Sequence, residues 1–312
     1  METFLHSVSS VLVILLLTAV GYLCAAKGWL NDGAKSFLSK YLISVAVPVM
    51  SAYGFMTGIP RDELLRAGPL LLAPTLASGL LTLLGWGIGR LLRLPRRRFG
   101  VFVMMCGMSN MMFIGYPMCV ELFGEVSVPY VMFNYFVNVC FIQLVGRSLV
   151  RWSGGYDDHS VGEAIFNIIR MPPVIGVFAG IAAVLLDVHL PEVVMTTMGY
   201  INSTVTPLAL LLAGRVIYEI GLRNLRLDRA LSVAMLVRFV LSPALAVGFC
   251  ALFGLGELAR NVCAVEFAMP VMTMTVAYST EYGADEQFAA QGVALSTVAC
   301  FAVIPILMLV IA

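Results

Sequence analysis

Charged residues are scarce in this chain, because Asp, Glu, Lys and Arg make up only 12% of its 312 residues while 60% are hydrophobic. Soluble domains carry about a quarter charged residues, so the composition excludes a soluble globular protein. Apolar runs of about 20 residues are long enough to cross a hydrocarbon core of roughly 30 Å as helices. They lack the alternating pattern of barrel strands. The sequence therefore predicts an all-α protein of the lipid bilayer.

The sequence also lacks the short motifs of enzymes and nucleotide-driven pumps. It has no HExxH, no GxSxG, no Walker A sequence and no GxGxxG after a strand. Its seven cysteines fall within apolar segments without a CxxC pair, so we interpret them as small buried hydrophobic residues. We expect no enzymatic activity, no cofactor and no nucleic-acid partner, and an ATP-driven pump is excluded within this chain.

Ten apolar segments are predicted to span the membrane. Their approximate bounds are 5–26, 36–57, 67–91, 99–123, 127–150, 164–187, 194–218, 229–254, 258–281 and 286–311. Fifteen of the nineteen Lys and Arg residues fall in or beside the loops after spans one, three, five and seven. By the positive-inside rule these loops are cytoplasmic, which predicts a multi-pass protein of a bacterial cytoplasmic membrane with both termini outside.

The longest polar connection follows span five and leaves five spans on each side. With an odd number of spans, the two halves enter the membrane in opposite directions, as in an inverted repeat. Proline spacing agrees, since Pro48 and Pro207 are 159 residues apart and Pro117 and Pro270 are 153 apart. We predict a first repeat over 1–152, a cytoplasmic linker over 153–163 and a second, inverted repeat over 164–312.

Spans four and nine each combine polar side chains with a helix-breaking proline, and a broken helix is tolerated in a bilayer only where it lines a cavity. In span four, Asn110 precedes Gly115 and Pro117. A half-helix that begins after the break presents unpaired N–H groups and a positive dipole end, which suit a carboxylate. Asn110 can donate to that carboxylate or offer its carbonyl to a cation. The alternative is an interhelical hydrogen bond that only joins helices.

Glu266 is the one acidic residue placed deep in a span, where a carboxylate costs more than about 2.5 kcal/mol. One interpretation is a cation site, in which Glu266 accepts a proton or binds sodium together with Ser109 or Asn110, because hard cations take oxygen ligands. The other is a structural pair with Arg238, the one deep cation. Arg238 is also interpreted as an anion anchor or as a side chain that snorkels to the cytoplasmic face.

Further polar side chains in spans five and nine are predicted to face the same pocket. Asn134 and Asn138 share one face of span five at i, i+4 spacing. Asn138 either contacts a substrate or braces span four. Thr273, three residues after Pro270, is a candidate pocket donor.

Short motifs along nearly the whole chain resemble the auxin efflux carrier family. They are Gly21-Tyr22-Leu23, Ala46-Val47-Pro48, Asn110 with Gly115-Tyr116-Pro117, Met171-Pro172-Pro173, Pro207-Leu208-Ala209-Leu210, Ala268-Met269-Pro270, Glu281-Tyr282-Gly283 and Leu295-Ser296-Thr297. The resemblance implies ten helices in two inverted five-helix repeats, a scaffold domain and a transport domain, and elevator-like movement. It also implies helices four and nine crossing at Pro117 and Pro270, an organic anion beside the crossing with Asn110 at the substrate, and a homodimer formed through the scaffold.

The sequence departs from that family at two positions. Met171 stands where an asparagine is usual, and Glu266 stands where many members have glutamine. The wider superfamily includes sodium and bile acid symporters, and Ser109, Asn110 and Glu266 resemble their arrangement. Pro270-Val271 replaces the Gln-Asn of those symporters, which argues against a full two-sodium arrangement.

These observations predict a secondary transporter for a small organic anion, a carboxylate, coupled to sodium or to protons. Its candidate substrate-binding residues are Asn110, Gly115, Pro117, Asn138, Pro270 and Thr273, and its candidate cation-coupling residues are Glu266, Ser109 and Asn110. Two alternatives remain: a cation-independent exporter or exchanger, and a membrane sensor or assembly subunit that does not transport.

Overall fold

A computed structural model describes residues 2–156, 161–221 and 226–311, and the regular structure in these ranges is helical. The helices are α1 (Glu2–Ala26), α2 (Asp32–Gly58), α3 (Gly68–Leu91), α4a (Arg96–Gly107), α4b (Met111–Phe123), α5 (Glu125–Ser153), α6a (Val161–Arg170), α6b (Pro172–Leu185), α7 (Glu192–Ile220), α8 (Arg229–Leu252), α9a (Glu257–Phe267), α9b (Met274–Tyr282) and α10 (Glu286–Ile311). A short helix, Arg61–Leu65, lies between α2 and α3.

Seven of the described helices are long and apolar enough to cross a membrane: α1, α2, α3, α5, α7, α8 and α10. The bent pair α6a and α6b makes an eighth if it is counted as one span. An all-α protein with several membrane-spanning helices is therefore confirmed. The count of ten stays a prediction, because α4 and α9 are divided into halves that are each shorter than the roughly 20 residues a span requires. Part of the predicted linker, residues 157–160, lies outside the described residues.

The predicted span over 164–187 is not one straight helix. Helices α6a and α6b meet at Met171 and are bent by 64°. Met171 has an extended backbone (φ −65°, ψ 124°), because the residue before a proline is disfavoured in the helical region and Pro172 cannot donate a backbone hydrogen bond. Proline thus ends α6a and starts α6b in a new direction.

Four helices contain a single wide π-helical turn: Leu42–Ala46 in α2, Met111–Gly115 in α4b, Ile142–Gly146 in α5 and Val237–Leu241 in α8. In α2, α4b and α8 the wide turn ends two residues before a proline, at Pro48, Pro117 and Pro243. The proline ring would clash with a carbonyl of the preceding turn, and a π bulge is a known way to accommodate such a break in membrane helices.

Glycine allows several close helix contacts, and two of them join helices α1, α2, α6b and α7. Helix α1 packs along the second half of α7, and an added Cβ on Gly21 would lie 2.3 Å from the Leu211 carbonyl oxygen. Helix α2 packs along α6b, where a Cβ on Gly176 would lie 2.4 Å from the Pro48 carbonyl oxygen. Small residues allow backbones to approach in membranes, where packing rather than hydrophobicity drives association.

The other helices form a second packed group. Helix α3 packs against α4a and α8, α4a packs against the end of α5, and α8 packs against α9a. A buried cluster of apolar side chains joins these helices around Phe102, Met105 and Phe267. This group contains the first halves of both broken helices, while α4b also packs against α1 and α7.

A cluster of charged side chains, here called the charged clamp, joins the starts of α4a, α8 and α10. Arg98 contacts Asp228 at 2.9 Å and Asp285 at 2.7 Å. These aspartates cap α8 and α10, since each accepts a backbone N–H, from Leu231 and Phe288 respectively. Burial alone would raise the pKa of Asp285, but the Phe288 amide and the arginines outweigh it and lower the pKa below its ordinary value.

Candidate functional site

The two broken helices cross at their breaks. Between α4a and α4b, and between α9a and α9b, the chain leaves the helical conformation, and Ser109 pairs with Val271 as in an antiparallel sheet. The Asn110 amide donates to the Pro270 carbonyl at 2.9 Å. The breaks therefore satisfy part of each other's backbone, which would otherwise be exposed to hydrocarbon.

The crossing lies at a different place in helix four from the one that the family resemblance implied. Pro270 is part of it. Pro117, however, is the second residue of the α-helical segment Tyr116–Phe123 within α4b and lies seven residues after Asn110. Proline is well tolerated there because the first residues of a helical segment need no N–H donor. The break falls at Met108–Asn110 instead, where Met108 is extended (φ −121°, ψ 133°).

Side chains from three other helices satisfy further backbone groups of the crossing. Asn138 on α5 donates to the Ser109 carbonyl at 2.8 Å and accepts from the Ser109 amide at 3.2 Å. Ser296 on α10 accepts from the Val271 amide at 2.9 Å, and Ser242 on α8 donates to the Phe267 carbonyl at 2.8 Å. Asn138 thus braces span four, and its contact with a substrate stays a prediction.

Arg238 is completely buried beside the crossing, so the snorkelling interpretation is wrong. It lies in the wide turn of α8, whose position carries the side chain inward. Its guanidinium donates to the Ser109 hydroxyl and, at 2.6 Å, to the Cys106 carbonyl. Its Nε has no hydrogen-bond partner among the described residues. Both of its partners are neutral, and no carboxylate of the described chain forms an ion pair with it.

Glu266 lies at the end of α9a and is also completely buried. Its Oε1 is 3.4 Å from the Cys119 thiol, a weak donor, and its Oε2 has no hydrogen-bond partner among the described residues. The carboxyl group packs on the backbone of Gly115, where an added Cβ would lie 2.5 Å from Oε1. Within the described ranges the carboxylate has no basic partner, so the structural pair with Arg238 is not formed.

The other predicted site residues lie along the same crossing. Asn110 is 4% exposed, and its backbone carbonyl accepts from Gly115 while its side-chain amide forms no hydrogen bond in the described part of the chain. Thr273 caps α9b without a side-chain hydrogen bond. Two residues later, the buried hydroxyl of Thr275 has no partner within the described ranges. The structure thus brings these segments together at one crossing, and the roles of their residues stay predictions.

Sequence reasoning missed Cys119, Ser242 and Ser296, which contact Glu266 or the broken backbone. Ser296 had a signal, since it belongs to the motif Leu295-Ser296-Thr297. Ser242 lies next to Pro243, but it bonds the Phe267 carbonyl of α9a rather than a carbonyl of its own helix. Cys119 had no signal, because Glu266 lies 147 residues away in sequence. No group of three or more His, Cys, Asp or Glu side chains in the described residues is arranged to bind a metal. A cation site here would consist of one carboxylate and neutral oxygens.

Membrane helices that break and cross around buried charges are the architecture of membrane transport proteins, which bind their cargo at such discontinuities. Residues 6–308 match the family described as membrane transport protein. The chain belongs to that family, the auxin efflux carrier family.

Two curated relatives agree with this assignment. An uncharacterized transporter of Methanocaldococcus jannaschii is 24% identical over 296 residues, covering 92% of this chain and 93% of its own. An uncharacterized transporter of Methanothermobacter thermautotrophicus is 24% identical over 311 residues, covering 97% and 98%. Both relatives are archaeal and extend over nearly the whole chain, so this protein is a multi-pass membrane transporter.

Proposed function

We propose that this protein is a secondary transporter that carries a small organic anion, a carboxylate, together with a coupling cation. One observation carries the proposal. Arg238 and Glu266 are both completely buried at the crossing, and neither has an oppositely charged partner among the described residues. A symporter moves two ions of opposite charge, an anion that would pair with Arg238 and a cation that would pair with Glu266.

The energetic argument follows from the cost of isolated buried charges. An ion taken out of water costs several kcal/mol even after relaxation, and a well-placed counter-charge offsets that cost. A carboxylate substrate would neutralise Arg238, close to Ser109, with Asn110 and the positive ends of α4b and α9b as further donors. A cation or proton at Glu266 would neutralise the carboxylate, with neutral oxygens of Ser109 or Asn110 completing a sodium site.

The packing of the helices supports an inverted repeat in which segments 1–5 correspond to segments 6–10. The symmetry operation that relates two such repeats superimposes α1 on α6 and α7 on α2. It therefore superimposes the α1–α7 pair on the α6–α2 pair. Both pairs are in glycine-mediated contact. The same operation exchanges α4 with α9, which cross at their breaks. These relations favour repeats at 1–152 and 164–312 joined by a linker over 153–163.

An elevator movement fits this arrangement. The α1, α2, α6b and α7 helices form the glycine-packed group, which we assign to a scaffold that supports a homodimer. The group of α3, α4, α5, α8, α9 and α10 holds the buried charges and would move as the transport domain. By the positive-inside rule, the arginine-rich loops favour an orientation with both termini outside a bacterial cytoplasmic membrane.

The cation-independent alternative differs in one respect. If the protein is an exporter or exchanger without coupling, Glu266 is structural and Arg238 alone binds the anion. Substitution of Glu266 would then leave accumulation independent of any cation gradient. A sensor or assembly subunit would instead show no thermal stabilisation by any acid.

The test is uptake of labelled mono- and dicarboxylates into proteoliposomes under an imposed sodium gradient or an imposed pH gradient. Wild type is compared with Glu266→Gln, and Glu257→Gln on the exposed start of the same helix α9a is the matched control. Sodium-driven accumulation that Glu266→Gln abolishes identifies a sodium ligand. Accumulation driven by pH, with the variant only equilibrating substrate, identifies a proton carrier. Wild-type behaviour of Glu266→Gln under both gradients would refute coupling through this residue.

A further inference from the structure

A long groove on the outer surface of the helix bundle lies between α3 and α5. It consists of two adjoining cavities of about 640 and 390 Å³. Both are lined by Leu144 and Val145 of α5, so the two cavities adjoin there. Along α5 the lining residues run from Phe136 to Trp152, which is about 24 Å at 1.5 Å per residue.

The two ends of this groove have different chemistry. The smaller cavity is lined by apolar side chains, among them Leu71, Phe136 and Phe141, and its one hydroxyl, on Thr75, is already bonded to the Leu71 carbonyl at 2.6 Å. The larger cavity contains Arg90 and Arg93, with the rings of Trp86, Phe99 and Trp152. The groove is therefore amphipathic along its length.

The two arginines at the polar end have no carboxylate partner in the described part of the chain. The Arg90 guanidinium lies 4.0 Å above the centre of the Trp86 ring, a contact that orients it without neutralising it. Both arginines belong to the cluster that the positive-inside rule places at the cytoplasmic surface. Two cations beside an aromatic belt at the membrane surface favour an anionic group at this depth.

The backbone at Arg93 adds an independent observation. Helix α3 ends in a Schellman motif, in which the Leu94 amide donates to Gly89 at 3.1 Å and the Arg93 amide donates to Arg90 at 3.0 Å. Arg93 occupies the left-handed position of that motif (φ 52°), where glycine is the usual residue and a side chain costs about 1 kcal/mol. Arginine rather than glycine at this position keeps a long cationic side chain at the polar end of the groove.

We propose that this groove binds an anionic phospholipid of the cytoplasmic leaflet. Its phosphate lies between Arg90 and Arg93, and one acyl chain follows the apolar cavity past Leu144 toward Leu71. The whole groove along α5 is longer than one leaflet, which is about 15 Å of hydrocarbon, so it has room for the phosphate at one end and an acyl chain beyond it. A second copy of this protein is a poorer occupant, because a two-fold interface at this groove would bury Arg90 and Arg93 of both subunits, and this surface offers them no carboxylate among its lining residues.

The test measures lipid binding to the purified, delipidated protein by native mass spectrometry. Dioleoylphosphatidylglycerol and dioleoylphosphatidylcholine are titrated separately, since they have the same chains and differ in net charge. We expect wild type to bind the anionic lipid at least tenfold more tightly. Arg93→Gly should weaken that binding about fivefold, and Arg90→Gln with Arg93→Gly should remove the preference.

Arg93→Gly has a close control in the same chain. Asp187 has a left-handed backbone (φ 55°) in an equivalent motif at the end of α6b, so Asp187→Gly makes the same backbone change away from the groove. Glycine relieves strain at both positions, and neither variant should lose its fold. Wild-type lipid binding by Arg93→Gly, or equal loss in Asp187→Gly, would overturn the proposal.

The acyl-chain part is tested by filling the groove with the arginines intact. Leu144→Trp should weaken binding of the anionic lipid, while Leu83→Trp, at an exposed site on α3 outside the groove, should not. Displacement of the lipid by inorganic phosphate would identify a small-anion site instead. A cross-link between two copies through cysteines placed in the groove would identify an oligomer interface. Either result would refute a lipid site, and none of these outcomes depends on the proposed transport function.

Discussion

The substitution of Gly115 by alanine tests whether the position of the Glu266 carboxyl sets cation coupling. An added Cβ would lie 2.5 Å from Oε1 of Glu266 and 3.0 Å from Cγ of Met269, whereas ordinary contacts begin at 3.4 Å. The carboxyl must therefore move by about 1 Å, which exceeds the tolerance of about 0.5 Å for a functional binding geometry.

The same substitution should cost the fold little. The group that must move is the end of a flexible side chain rather than backbone, which puts the cost near the lower end of the about 1–3 kcal/mol that overpacking takes. Alanine recovers up to about 1 kcal/mol over glycine in a helical turn. We expect unfolding close to that of wild type together with a loss of at least tenfold in apparent affinity for the coupling cation.

The assay is thermal unfolding of the purified protein in increasing concentrations of the cation that drives uptake, since a ligand of the folded state raises the unfolding temperature by mass action. Gly87→Ala is the matched control, because Gly87 lies in α3 with no atom within 4 Å of the added Cβ. An unchanged cation affinity in Gly115→Ala would refute the argument that this packing contact positions the carboxyl. A loss in Gly87→Ala would show that the effect is not local.

Two further predictions concern the crossing and the charged clamp. Asn138→Leu removes both hydrogen bonds to buried Ser109 and should destabilise the protein by about 1–3 kcal/mol in thermal unfolding. Asn31→Leu, at a surface helix cap, is the milder comparison. A smaller loss of stability in Asn138→Leu than in Asn31→Leu would contradict the bracing role. The pKa of Asp285 is lower in the folded protein than its ordinary value, so its contribution to stability is present above about pH 4 and is lost as the pH falls through the folded pKa. In Asp285→Asn the unfolding temperature should fall less steeply as the pH is lowered below about 4. The same pH dependence as in wild type would mean that the contacts with Arg98 do not stabilise the fold.

The contrast between Glu266 and Cys119 illustrates how far sequence reasoning extends at the site. A carboxylate in a long apolar run is conspicuous on its own, because its transfer cost is a property of one residue. Its thiol neighbour is 147 residues away, and nothing in local composition connects the two. The snorkelling interpretation of Arg238 failed for the same reason: whether a long side chain turns toward water or inward depends on the helices around it.

The sequence by itself determined the membrane class, the helical content, the places where polar residues interrupt apolar segments, and the family. Those properties follow from hydrophobicity and proline sterics, which act within a few residues. Only the tertiary structure decided that the crossing falls at Ser109 and Pro270 rather than at Pro117, and that α6 is bent at Met171. A break forms where a distant strand, amide or hydroxyl can satisfy the freed backbone, and those partners are brought together only when the helices pack.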